Sequence, residues 1–419
     1  MMPCQQQIMD IPLVTAAFSG FVGGDDAASA HMTSYVYGRR SVPSLYNSPG
    51  VYEVGKRLRN VVQSRSWDGL HGGISASPNA LAQTTLTQGG PKFVASFSGT
   101  TMPTTGEIAQ ILVDHCKTQH IDGVAEGRVT TPFAVTIADL HHAPATEAHP
   151  TLKAAAPFLP ILASIGASAG CAFVGDWPTL SMIVLGMVCN AATSSVLRAG
   201  DLTFTRPAST PGAPSGDGFL EAGNEIVVLK GSEGAISSVT RGHFSLRFKN
   251  DKALNRLGVA ATMATLQCLA QLVVVPQGTF IGQLCFLFTV AIAFLYHSHM
   301  AAAEKKAKAK VVLEDLLETP STRRFSLGTR AAMAVFLMQV LKPANIEEQL
   351  AALIPNNTRV WSAWRQTVAR RLQEEKPSFD TGLPQEATSF NAEESTLMRT
   401  LLGDAQAAVN VYAAARARF

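Results

Sequence analysis

The residues best equipped for chemistry are scattered histidines and a few amides set among apolar neighbours. His141 and His142 are adjacent, His297 and His299 are two apart, and His115, Cys116 and His120 lie within six residues. Imidazoles grouped in this way can ligate a metal or pass a proton. The amides are Asn190, Gln267, Gln271 and Gln283, each inside a long apolar run. Gln267 and Gln271 are four apart and share one face of a helix. Such a polar helix face makes interhelical hydrogen bonds, and in a sharper reading it lines a path for a small solute.

The histidines fall short of a known chemistry. A membrane di-iron oxygenase needs several HxxxH or HxxHH boxes, and none is present. His142 through Glu147 only approximates an acyltransferase HxxxxD pattern, with Glu as the acid and no supporting block. Surface or interfacial histidines are the plainer reading. No phosphate-binding loop or dinucleotide glycine fingerprint is found, so no catalytic, cofactor-binding or metal residue is assigned and no cofactor is expected. The six cysteines form no CxxC pair, which argues against a disulfide framework or zinc ribbon.

The elements that position the amides are four apolar runs. Leu257–Val275 and Thr279–Tyr296 flank Pro276-Gln277-Gly278, and no charged residue occurs from Leu257 to Met300. Upstream, Phe158–Val174 and Leu180–Leu197 flank Gly175–Thr179. A hydrocarbon core about 30 Å thick takes roughly 20 apolar helical residues. The spacing predicts four transmembrane helices in two hairpins. The absence of Asp, Glu, Lys and Arg from the runs weighs against a coupled transporter or voltage sensor. Small residues four apart, Gly166/Gly170, Ala163/Ala167, Ala260/Ala264 and Gly278/Gly282, would let helices approach closely.

Charge sets the orientation. Both hairpin turns lack Lys and Arg, whereas Lys153, Arg198, Arg206, Lys249, Lys252, Arg256 and the Lys305, Lys306, Lys308, Lys310 cluster flank the other ends. Cytoplasmic loops are enriched in these residues, so both termini and the middle loop are expected in the cytoplasm. The lysine cluster anchors that orientation and could contact anionic lipid headgroups. Asn356-Asn357-Thr358, the one glycosylation sequon, would then stay unmodified. Charged residues make up only 16% of the 419, below the roughly 25% of a soluble domain. A net charge of +3 without a basic-aromatic stripe gives no case for nucleic acid.

Five consecutive regions follow. Residues 1–150 are Gly-, Ser-, Thr- and Pro-rich and are expected to be partly disordered, with one small α/β element in Lys92–Ile137 and a short buried or interfacial segment at Ile11–Val22. Residues 151–199 are the first hairpin. Residues 200–256 form a cytoplasmic loop, read as a β-hairpin or meander of Ile226–Leu229, Ala235–Val239 and His243–Phe248. Residues 257–300 are the second hairpin, and 301–419 a cytoplasmic helical domain. Within it, Thr329–Leu341 is apolar on nearly every side, and Asn345 with Glu348 predicts a capped start for Ile346–Leu353.

The strings GDLTFTRP, PGAPSGDG, VLKGSEGAISSVTRGHFSLRF, LAQLVVVPQGTFIGQL and LIPNNTRVWSAW occur in this order between Pro157 and Leu372. This stretch resembles a family of multi-pass membrane proteins of basidiomycete fungi. The resemblance implies a shared membrane architecture and a fungal source, and it brings no activity.

The expected fold is an α-helical membrane protein with a small β-containing loop and a helical C-terminal domain. The expected function is a non-catalytic multi-pass integral membrane protein whose cytoplasmic regions act as an interaction or membrane-surface module. Its partners would be the bilayer and either another protein or a second copy. The alternatives are a small-solute channel or transporter formed by self-association, and a membrane-bound lipid-modifying enzyme using His141, His142, His297 and His299.

Overall fold

The computed structural model describes residues 23–31, 34–35, 42–67, 75–76, 90–140, 157–207, 212, 214–248, 251–374, 377–380, 382 and 390–416. In chain order, helices α1 (Gly24–His31) and α2 (Val51–Trp67) precede strands β1 (Ser75–Ala76), β2 (Lys92–Ala95) and β3 (Thr101–Met102). Helix α3 (Glu107–Lys117) leads to β4 (Ile121–Val124) and β5 (Phe133–Leu140), then to the pair α4 (Phe158–Val174) and α5 (Trp177–Leu197). Strands β6 (Gly200–Thr205), β7 (Gly218–Ala222) and β8 (Glu225–Gly231), helix α6 (Glu233–Thr240) and strand β9 (His243–Phe248) follow. Next come α7 (Asp251–Val274) and α8 (Phe280–Lys310). Strand β10 (Ser321–Leu327) and helices α9 (Arg330–Leu341), α10 (Ile346–Leu353), α11 (Arg359–Arg371) and α12 (Ala392–Arg416) complete the order.

These elements form two compact units, each built from three separate stretches of chain. One unit comprises Met1–Leu86, Thr146–Thr205 and Phe244–Asp315; the other comprises Thr87–Ala145, Arg206–His243 and Leu316–Phe419. The grouping cuts across the five consecutive regions expected from sequence.

The first unit is mainly helical and also holds the three-stranded sheet β1-β9-β6. Helix α4 packs on α5 and α8, α5 packs on α7, α2 lies along α7, and α1 lies along α8. Among the described residues, three stretches are long and apolar enough to cross a membrane: Trp177–Leu197, Asn255–Gln277 and Phe280–Leu316. Helix α4 has only 17 residues, about 25 Å of rise. The four-span expectation therefore stands at three by length. Helix α4 stops at Gly175, whose φ of 76° ends it in the left-handed conformation that glycine adopts without a side-chain clash. Helix α5 starts at once, with Asp176 as its N-cap and Pro178 in its first turn. Within residues 1–150, expected to be partly disordered, α1 and α2 are helices that pack against the apolar ones. Ile11–Val22 lies outside the described residues.

The second unit overturns the expectation of only a small β-containing loop beside a helical C-terminal domain. It holds a seven-stranded mixed sheet in the order β3-β2-β7-β8-β5-β10-β4. Strands β5 and β8 are parallel, as are β10 and β4, while β5 and β10 are antiparallel. The sheet thus recruits strands from the N-terminal third, the middle loop and the C-terminal region. Long-range pairing of this kind leaves no local mark in a sequence. Ala235–Val239, expected as a strand, lies in α6, which Ser232 caps by accepting from the Ala235 amide. Strand β9, expected beside them, pairs instead with β1 and β6 in the first unit's sheet.

Helix α9 is the centre of the second unit. Every residue from Ala331 to Leu341 is buried, and Phe336, Val335 and Leu337 join Ile137, Val228, Trp364 and Leu401 in one core. The Asn345–Glu348 cap forms, with the Glu348 amide donating to Asn345 Oδ1 at 3.2 Å.

Candidate functional site

The helical unit contains a polar interior, and an extended stretch of chain runs through it. Ser44–Gly50 has no regular secondary structure, and all of it except Leu45 is buried. Buried backbone of this kind must find its hydrogen bonds locally. Each of the four apolar helices bonds to the stretch, α4 and α5 to its backbone and α7 and α8 to its side chains. The Ser44 amide donates to Ser194 Oγ on α5 at 3.1 Å, and the Asn47 amide donates to Ser164 Oγ on α4 at 3.0 Å. Asn190 Nδ2 on α5 donates to the Tyr46 carbonyl at 3.0 Å. Asn47 Nδ2 donates to Thr289 Oγ1 on α8 at 3.0 Å, and Gln271 Nε2 on α7 reaches Asn47 Oδ1 at 3.4 Å. Tyr46 Oη and His297 Nε2 are 2.8 Å apart.

The stretch reaches the middle of the bundle. Gly186 and Thr289 each lie nine residues into their helices, about 14 Å of rise. Gly186 is required there by close approach: a Cβ at this position would collide with Asn47 Oδ1.

The four amides singled out from sequence do not form one face. Gln267, Gln271 and Asn190 are buried around the Ser44–Gly50 stretch. Gln283 lies apart, donating to the Pro276 and Gly278 carbonyls and closing the α7–α8 turn. Among the described residues, Gln267 has no partner for either amide atom. It faces a void of about 10 Å³ that His31, Asn190 and Thr193 also line, the room of a single water.

A second buried group joins the two hairpins. Asp176 is 2% exposed. Its Oδ2 accepts from the Thr279 amide at 2.7 Å, Thr279 Oγ1 at 2.8 Å and Thr179 Oγ1 at 3.0 Å, and its Oδ1 accepts from the Thr179 amide at 3.1 Å. Both turns therefore lie at the same end of the bundle. Burial alone would raise the carboxyl's pKa. The bonds from Thr179 and Thr279 outweigh it and hold the group below the ordinary carboxylate range. The Gly278/Gly282 pair makes room for this carboxylate, since a Cβ on either would meet Asp176 oxygens within about 3 Å. By contrast, Gly166 faces open space.

The other candidates fall elsewhere. His141 and His142 lie outside the described residues. His297 points into the bundle, against Tyr46, and the ring of Tyr296 lies beside it. Burial pushes the Cys116 thiol up to about 12, which leaves it protonated and inert at neutral pH. No group of three metal-binding side chains occurs among the described residues. Of the lysine cluster, Lys306 is exposed, Lys308 is buried, Lys310 pairs with Glu314 at 3.6 Å, and Lys305 lies in α8. Gly166-Ala167-Ser168-Ala169-Gly170 has the spacing of a nucleophile elbow, but it lies mid-helix. Ser168 Oγ donates to the Ser164 carbonyl, so the strained strand-to-helix turn of an elbow is missing.

Sequence reasoning missed Asn47, Thr289, Ser164 and Asp176. Only Asp176, directly before Trp177-Pro178, carried a local signal. Compared with protein-family models, curated proteins and solved structures, the chain matches none.

Proposed function

We propose that this chain is a multi-pass integral membrane protein, with α4, α5, α7 and α8 crossing the bilayer as two hairpins and the α/β unit serving as a non-catalytic interaction module in the cytoplasm. The Asp176 bridge is the observation that carries this reading. It sets both turns at one end of the bundle, so the chain enters and leaves both hairpins at the other end, where the Lys and Arg residues are concentrated in sequence. Apolar side chains on the helix exteriors agree with lipid contact: Phe173 is 94% exposed and Phe280 71%. Helix α4 spans with its flanking residues, since a short helix can be accommodated by local thinning of the bilayer. Membership of the basidiomycete membrane family belongs to the same proposal.

The test is topology in sealed vesicles of known orientation. A cysteine introduced at Gln277 should react with an impermeant maleimide from the non-cytoplasmic side alone, and one at Glu347 from the cytoplasmic side alone. Alkaline carbonate should leave the chain in the pellet. Release into the supernatant would overturn the reading.

A second reading, a path for a small polar solute, is favoured by Ser44–Gly50 at mid-bundle. Non-helical backbone at membrane depth is tolerated where protein buries it or where it lines a cavity, and many transporters bind substrate at such places. Flux through reconstituted protein that is abolished by Asn47→Leu would support it; no flux under any solute gradient would remove it.

A further inference from the structure

A pair of thiols joins the two hairpins beside the Asp176 bridge. Cys171 on α4 and Cys285 on α8 are both free, and their side chains are in hydrogen-bonding contact. The Cys171 carbonyl accepts from the Asp176 amide at 2.8 Å, which ties the pair to the turn above it. Cys171 is 1% exposed, in a core with Ala167 and Phe286, and Cys285 packs against that core half-buried. Gly170 keeps the seam between the helices narrow: a Cβ there would stand 3.9 Å from Cys285 Sγ. Packed helices have axes about 8–10 Å apart and Cα atoms about 2.3 Å off axis. Cα atoms that face across such a seam fall near the roughly 4.4–6.8 Å that a disulfide spans.

The two thiols differ in access. Cys285 shares a helix face with Ile281 and Phe288, both exposed on the exterior of α8, so it is reached from the side that reads as lipid-facing. It lies five residues past Phe280, where α8 begins, about 8 Å of rise below the turn. A charged, water-borne oxidant would lose its hydration on coming that deep. A lipid-soluble one arrives without that cost.

We infer that Cys171 and Cys285 form a redox-closed staple between the hairpins, with a lipid-soluble quinone as the oxidant. The Cys285 sulfur adds to the quinone and forms a C–S bond. The Cys171 sulfur then attacks the Cys285 sulfur, so the S–S bond forms as the C–S bond breaks. The electron pair passes to the quinone, which takes up the two thiol protons and leaves as hydroquinone. The closed pair holds α4 to α8 next to the Asp176 bridge. The choice of oxidant rests on the membrane reading; the pairing rests on the contact between the two side chains.

The experiment uses the reduced full-length chain in nanodiscs, with tetramethyl-1,4-benzoquinone as the probe and oxidised glutathione as its water-borne counterpart. Mass spectrometry should find a peptide linking Cys171 to Cys285, with one hydroquinone formed per linkage and with Cys189 and Cys268 still open to alkylation after unfolding. Oxidised glutathione should form the same linkage at least about tenfold more slowly. Closing the pair should raise the melting temperature by about 5 °C or more, and Cys171→Ser should abolish both the linkage and the rise. Asp176→Asn should lower the melting temperature less in the closed protein than in the reduced one, because bridge and staple hold the same two hairpins. Equal rates with the two oxidants would overturn the lipid route and count against the membrane reading. No linkage with either oxidant, or linkage of other cysteines instead, would overturn the pairing while leaving the carbonate and maleimide results as they stand.

Discussion

The two units of this chain treat apolar helices in opposite ways. Helix α9 is apolar on nearly all sides, and protein covers every side of it from Ala331 to Leu341. Helices α4, α5, α7 and α8 are also apolar, yet they leave Leu162, Phe173, Val273 and Leu295 exposed while burying Ser164, Asn190, Gln267 and Gln271. A water-soluble fold pushes polar groups outward; these helices gather them inward. Apolar content therefore shows that a helix must be covered. Whether lipid or protein covers it is told by where the polar side chains point.

Truncations of large apolar side chains would test that contrast with the largest effects. Trp364 is fully buried, with its indole N–H donating to the Leu401 carbonyl at 3.2 Å. Trp364→Ala should destabilise the α/β unit by about 3–5 kcal/mol, seen as loss of near-ultraviolet dichroism at a lower denaturant concentration. Phe173→Ala removes a side chain of similar class from an exposed site and should cost under about 0.5 kcal/mol. Comparable losses at the two sites would mean that the helix exteriors are covered by protein after all.

Next in size is the bridge between the hairpin turns. Asp176→Ala strips four hydrogen bonds and leaves the Thr179 and Thr279 amides without their acceptor, a loss of about 2–4 kcal/mol. Its pH dependence has a definite sign. The folded pKa lies below the unfolded value of about 3.9. The contribution is therefore complete above that pH and lost as pH falls through the lower folded value. Melting of nanodisc-embedded protein should show wild type losing stability in acid more steeply than Asp176→Asn. Parallel curves would show that the carboxylate has no special place at the turns.

How much of this was legible in the sequence follows from the range of the interactions. The α7–α8 turn at Pro276–Gly278 and the capped start of α10 are local features, and side-chain types within a few residues specify them. The seven-stranded sheet was not legible, since β5 pairs with β8 and β10 across intervals of about ninety and about two hundred residues. The polar interior was half visible. Asn190, Gln267 and Gln271 stood out against apolar neighbours, but their shared partner, Asn47, sits in a Ser/Pro/Gly stretch whose composition suggests a surface loop. The helices that recruit it lie more than a hundred residues away.

A smaller effect is expected where that stretch meets α5. Gly186→Ala would place a methyl against Asn47 Oδ1 and should cost about 1–3 kcal/mol through overpacking. Restoring space with Asn47→Ala in the same chain should recover part of that loss, and the coupling between the two changes measures the contact. Additive losses would place Ser44–Gly50 outside the bundle.

The smallest change expected is a gain, and it sharpens the contrast from the α/β side. Lys342 ends α9 with φ of 47° and ψ of 56°, its amide donating to the Met338 carbonyl at 2.9 Å. That left-handed conformation costs a residue bearing a Cβ about 1 kcal/mol relative to glycine. Lys342→Gly should therefore stabilise the α/β unit by about 1 kcal/mol in thermal unfolding, because the cap bond is a backbone bond and survives. The opposite outcome would show that the lysine side chain contributes more than its backbone costs, through the negative ends of α9, α11 and α12 that it faces. In that case added salt should erase the difference between the two proteins, since exposed charge interactions are screened. At the α4–α5 turn the same geometry falls on Gly175, so no such gain is open there.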